Sequence, residues 1–110
     1  MNDREAIQVL FGADLRRDEL FDRVDQLSAR VHEAPTDVLL SLCRIYCWLV
    51  TGEVADRSDA AAWAHGRFPH IALQRAQALY LGGMAEDYTG IDIAYAAENL
   101  RALIAQQDRA

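Results

Sequence analysis

Apolar residues recur along this chain with the three- and four-residue spacing of amphipathic α-helices. Between residues 18 and 33 they fall at Leu20, Val24, Leu27 and Val31, which places them on one stripe of a helix. The same spacing appears at residues 3–11 and at about residues 90–107. No segment sustains the alternation of apolar and polar residues that is typical of a half-buried strand. The pattern predicts an all-α fold.

The segment from Asp37 to Val50 differs from the others because apolar residues occupy every side of it. Only Ser41 and Arg44 interrupt the run. A helix that is apolar all round is a buried helix, so we expect an irregular bundle of five to six helices around residues 37–50. Because a buried guanidinium needs a partner, Arg44 is expected to pair with an acid from the last helix or from the helix at residues 18–33.

Glycine and proline indicate where the intervening helices begin and end. The second helix is expected to reach Glu33, just before Ala34-Pro35. A short helix at about residues 58–65 is expected to end at Gly66, and Pro69 is suited to the first position of the next helix. That helix is predicted to run to Leu81.

Length and charge restrict the classes of protein to consider. The 110 residues are enough for one domain with a single core, expected over residues 1–110, and 52% hydrophobic with 25% charged residues is ordinary for a globular protein. Seventeen acidic residues against eleven basic ones give a net charge of −6, which argues against binding to nucleic acid or to an anionic membrane. The N-terminus lacks the layout of a signal peptide, so a cytoplasmic location is expected.

The residue types that most often carry chemistry do not form a recognisable site. Cys43 and Cys47 are four residues apart, but a zinc site needs three or four ligands, and two thiols on a buried helix are interpreted as small apolar groups. His32, His65 and His70 are scattered along the chain. No serine elbow, phosphate-binding loop or HExxH motif occurs. From these residues alone we predict neither a catalytic nor a metal-binding residue.

Several short motifs nevertheless follow one another in a recognisable order. They are an apolar helix around Arg44, a Thr-Gly turn, an alanine-tryptophan helix, an aromatic-proline pair and a helix ending in Tyr-Leu-Gly. In this chain they occupy Val38–Tyr46, Thr51–Val54, Ala60–Trp63, Phe68–Pro69 and Ala76–Gly82. Their order and spacing resemble the C-terminal helical domain of the aminoglycoside nucleotidyltransferases that adenylylate streptomycin and spectinomycin. The likeness extends from about residue 9 to residue 82.

The resemblance implies that the catalytic half lies outside these motifs. Members of the family carry a nucleotidyltransferase domain with a Gly-Ser motif and a D-x-D pair, whose carboxylates hold the magnesium ions that bridge the ATP phosphates. This sequence contains neither motif. The chain is therefore expected not to be an enzyme on its own, and to use ATP with magnesium only when a nucleotidyltransferase domain on a separate chain completes the site.

The resemblance also implies which residues face the ligands. In the family the helical domain forms one wall of the active-site cleft and directs a lysine and a tyrosine toward ATP. By position the lysine falls on Arg57, which keeps the charge but changes the shape of the group, and the tyrosine falls on Tyr80. These two residues are the candidates for cofactor binding.

The antibiotic-binding acids of the family have no direct counterpart here. By position they fall on or near Ala34 and Pro35, and the neighbouring acids Glu33 and Asp37 remain as candidate substrate-binding residues.

Two other functions stay open at this point. The chain could be a binding or regulatory bundle that kept the fold without the enzymatic task and self-associates as a homodimer through the face of Arg57 and Tyr80. It could also be an acidic immunity-type protein that neutralises a basic toxin, an interpretation that depends on net charge alone.

Overall fold

A computed structural model describes residues 1–83 and 85–109 of the chain. Six α-helices follow one another in it, and a short 3₁₀ turn at Gln107–Arg109 closes the described chain. The helices are α1 (Asp3–Phe11), α2 (Arg17–Ser28), α3 (Pro35–Thr51), α4 (Arg57–Arg67), α5 (Ile71–Gly82) and α6 (Ile93–Gln106). Residues 1–83 and 85–109 contain no strand, so the predicted all-α class is confirmed.

Helix α3 is the centre of the bundle. It contacts all five other helices, and ten of its seventeen residues are buried. Leu42 and Ile45 are buried in the middle of this core, as expected for a helix without a polar side, whereas Leu49 is only partly buried. Cys43 and Cys47 are buried free thiols, and burial raises the pKa of Cys43 to about 12. The prediction of a buried central helix is confirmed.

Helix α2 is shorter than its apolar stripe predicted. It ends at Ser28, and residues 29–34 form a series of turns in which Val31 N–H bonds to the Ser28 carbonyl and Glu33 N–H to the Arg30 carbonyl. Val31 is still buried, but it reaches the core from a turn. The periodicity located the apolar residue correctly and the end of the helix incorrectly, because a turn can place a side chain on the same face.

Two other predicted boundaries are wrong for local reasons. Helix α4 continues through Gly66 to Arg67, and Gly66 does not adopt the left-handed conformation that ends helices at Gly52 and Gly83. Helix α5 begins at Ile71 instead of Pro69, because the His70 ring nitrogen Nδ1 accepts the Ala72 N–H at 3.0 Å and so caps the helix.

Within the described residues, no helix combines the length and apolar character needed to cross a membrane.

Candidate functional site

A cleft of about 280 Å³ opens at the N-terminal end of α3. Four segments that are distant in sequence form its walls: the first turns of α3, the start of α4, the end of α5 and the loop between α5 and α6. The lining residues are Thr36, Asp37, Leu40, Arg57, Tyr80 and Glu86.

Helix ends bring these segments together. Pro35 occupies the first turn of α3, where its missing N–H costs no hydrogen bond. Asp56 caps α4 by accepting the Asp59 N–H at 2.8 Å, which makes Arg57 the first residue of that helix. The loop after α5 returns to α3, where the Tyr88 and Thr36 hydroxyls are 2.8 Å apart.

Arg57 and Asp37 form an ion pair across the cleft. Arg57 Nη1 donates to Asp37 Oδ1 at 3.1 Å, and the two side chains are 34% and 62% exposed. Exposed pairs of this kind contribute at most about 1 kcal/mol, so either group is able to exchange its partner for a charged ligand.

An aromatic ring and two leucine side chains supply the apolar part of this end of the bundle. Tyr80 is 49% exposed and lines the cleft, and its neighbour Leu81 is 67% exposed at the end of α5. Leu40 of α3 also lines the cleft. Apolar walls with a few convergent polar groups are typical of small-molecule sites.

Glu86 is a residue of the cleft that the sequence did not indicate. Its Oε1 accepts the Thr36 N–H at 3.3 Å, at the N-terminus of a helix whose own cap residue, Ala34, has no capping side chain. Fifty residues separate Thr36 from Glu86 in the chain, and the motifs that carry the family resemblance end at Gly82. No local signal in the sequence points to this contact.

The structure thus places three of the four predicted site residues on one cleft. Arg57, Tyr80 and Asp37 line it together, whereas Glu33 does not. Glu33 lies exposed in the turn before α3, with its Oε2 3.4 Å from the Nε of Arg30.

Arg44 is close to this site, but its predicted acidic partner is absent. Its Nε donates to the carbonyl oxygen of Ala55 in the α3–α4 loop at 2.9 Å, and among residues 1–83 and 85–109 no carboxylate pairs with it. The prediction of a buried ion pair is wrong because the side chain is only partly buried and a backbone carbonyl receives it. Burial and the nearby positive charge of Arg57 both lower the pKa of Arg44.

Wider depressions occur elsewhere and contain none of the predicted site residues. A groove of about 330 Å³ between α2 and α6 has charged side chains that already pair with one another, since Arg101 lies within salt-bridge distance of Asp25 and Glu98. An open surface of about 460 Å³ runs along α1. In the described part of the chain, no three potential metal-ligating side chains come together.

Comparison with known families agrees with the resemblance drawn from the motifs. The family model described as aminoglycoside adenylyltransferase, C-terminal domain, matches residues 13–106. The match spans α2 to α6 and includes all six residues of the cleft, whereas α1 precedes it. Neither a curated protein nor a solved structure matches the chain.

Proposed function

Because the chain belongs to the family of aminoglycoside adenylyltransferase C-terminal domains, we propose that its cleft is one wall of an adenylyl-transfer site. A nucleotidyltransferase domain on a separate chain would complete that site. The observation that carries the proposal is the position of Arg57, Tyr80 and Asp37. The family resemblance assigned the first two to the nucleotide by position, and it left the third as an acid close to the lost substrate-binding positions. All three line one cleft from three different helices.

Each of these side chains suits the ligand proposed for it. The Arg57 guanidinium is planar and offers paired N–H donors to phosphate oxygens, and its present partner is an exposed carboxylate. The half-exposed ring of Tyr80 offers a face on which a nucleotide base can stack. Asp37 supplies a negative charge for an ammonium or guanidinium group of the substrate.

The reaction itself would depend on the partner domain. Magnesium ions held by carboxylates of that domain would bind the ATP phosphates, and the helical chain would orient the nucleotide and the substrate. The 110 residues contain no Gly-Ser or D-x-D motif. We therefore expect the purified chain alone to transfer no AMP to streptomycin.

The exposed apolar surface beside the cleft supports a covering partner. Tyr80 is about half exposed and lines the cleft, and Leu81, the next residue of α5, is about two thirds exposed. The same observation also favours the second candidate function, a binding bundle that pairs with another copy of itself through this face. Sedimentation at several concentrations separates the two. A strict monomer favours the partner domain, and a dimer that Leu81→Arg dissociates favours the binding bundle.

A titration followed by amide NMR tests the main proposal. ATP with magnesium and, separately, streptomycin are added to the whole chain, and shifts are expected at the amides of Leu40, Arg57 and Tyr80. Arg57→Ala should weaken the response to ATP. Arg67→Ala, which removes the same charge at the other end of α4, should leave it unchanged. If neither ligand moves the cleft amides at millimolar concentrations, the proposal is wrong.

A further inference from the structure

We infer that Glu86 is a substrate-binding carboxylate of the cleft and that it selects positively charged ligands over neutral ones. The inference rests on the proposed function, because it assigns a further ligand group to the same site. The family resemblance places the substrate-binding acids on or near positions 34 and 35, which hold alanine and proline in this chain. The structure brings a carboxylate to the same end of α3 from a loop that lies fifty residues downstream.

The position of Glu86 is the first part of the argument. Its Oε1 is 3.3 Å from the Thr36 nitrogen, in the first turn of α3 and two residues from Ala34. It lines the cleft together with Asp37. A ligand in the cleft therefore has a carboxylate from α3 and another from the α5–α6 loop.

The bonding capacity of Glu86 is the second part. An ionised carboxylate has about four acceptor positions, and the Thr36 N–H uses one of them. Among the described residues no arginine or histidine forms an ion pair with Glu86, whereas Asp37 is paired with Arg57. The cleft thus holds two negative groups and one positive group. An additional cation on a ligand would restore the balance, and the face of Tyr80 also attracts cations.

The anchoring of the loop is the third part, because it allows the charge of Glu86 to be tested separately from its structural role. Two contacts hold the loop without Glu86. The Tyr88 hydroxyl is 2.8 Å from the Thr36 hydroxyl, and Arg75 Nη1 donates to the carbonyl of Asp87 at 3.0 Å. A change of charge at residue 86 should therefore leave the loop in place.

The experiment compares Glu86→Gln with Asp87→Asn in the whole chain. The glutamine keeps an oxygen that can accept the Thr36 N–H and removes only the charge. Asp87→Asn is a matched control, since it removes the same charge from the same loop, where the Asp87 carboxylate accepts the Thr89 N–H and does not line the cleft. The probe is streptomycin, titrated by amide NMR, with the neutral sugar trehalose as a second ligand.

We expect Glu86→Gln to weaken streptomycin binding by about fivefold, the upper range for an exposed charge pair, and Asp87→Asn to change it by less than about twofold. The melting temperature of Glu86→Gln should match that of the wild type, and trehalose should not move the cleft amides. Equal binding of streptomycin by wild type and Glu86→Gln would reduce Glu86 to a helix cap and overturn the inference, while the proposed function would stand. Equal loss in both variants, or equal binding of trehalose, would also overturn it. If the wild-type cleft responds to neither ATP nor streptomycin, both this inference and the proposed function fail.

Discussion

Replacing Arg44 by methionine tests what a single charge does on the central helix. The Arg44 side chain is partly buried on α3, and its Nε donates to the Ala55 carbonyl oxygen at 2.9 Å. Methionine keeps an unbranched apolar stem but cannot donate a hydrogen bond. Because no described carboxylate pairs with Arg44, the substitution leaves no buried negative charge behind.

The expected loss of stability follows from these contacts. A hydrogen bond to a charged group contributes about 1.5–3 kcal/mol. Partial burial reduces this value for Arg44. Ala55 is only partly buried, so water is able to replace the lost donor. The charges of Arg57 and Asp56 act on Arg44 in opposite directions, so the substitution relieves one interaction and loses the other. We therefore expect a loss of about 1–1.5 kcal/mol, well below the roughly 3–5 kcal/mol that follows when one member of a buried ion pair is removed.

Urea denaturation of wild type and Arg44→Met measures this difference, provided that both unfold with the same denaturant dependence. Arg4→Met is the matched control, because Arg4 is exposed and, within residues 1–83 and 85–109, pairs only with the exposed Asp14. This substitution should cost less than about 0.5 kcal/mol. A loss of 3 kcal/mol or more for Arg44→Met would show that a buried charge depends on Arg44 and would refute this reasoning. An unchanged free energy of unfolding would show that the bond to Ala55 contributes nothing.

Two further predictions concern the core and the surface charges. Leu42→Ala should lower the free energy of unfolding by about 2–5 kcal/mol, because Leu42 is fully buried and the substitution leaves a cavity. The same change at the exposed Leu81 should cost less than about 0.5 kcal/mol in parallel denaturation experiments. Similar losses at both positions would contradict the central place of α3. The pKa of Glu98 should lie below its ordinary value, because Arg101 donates hydrogen bonds to its carboxylate. The stability that this contact contributes is therefore present above the ordinary pKa of a glutamate, and it is lost as the pH falls through the lowered pKa of Glu98. In Arg101→Gln, a carbon NMR titration should find the pKa of Glu98 closer to its ordinary value. An unchanged pKa would show that Arg101 does not cause the lowering.

The architecture was predictable where it depends on neighbours in sequence. A helix that has no polar side can only be stable at the centre of a bundle, and α3 lies there. The end of α5 was predicted at Leu81, one residue before its observed end at Gly82, where the left-handed Gly83 caps the helix. Where local rules competed, the prediction failed: Pro69 is suited to a first helical position, but the His70 side chain caps α5 two residues later than predicted.

The candidate site was predictable only in part, and the division follows the origin of each residue. Tyr80 belongs to a motif of the family resemblance, whereas Arg57 and Asp37 were assigned by their positions between and beside those motifs. The sequence alone therefore predicted all three as candidate site residues. Only the tertiary structure decided that they line one cleft with Glu86, that Glu33 lies outside it, and that Arg44 bonds to a carbonyl instead of an acid. The physical reason is that helical periodicity states which side of a helix is apolar. The partner that a polar group meets depends on where a loop returns, and here contacts between residues fifty or more positions apart, such as Thr36 with Glu86 and Tyr88, determine that return.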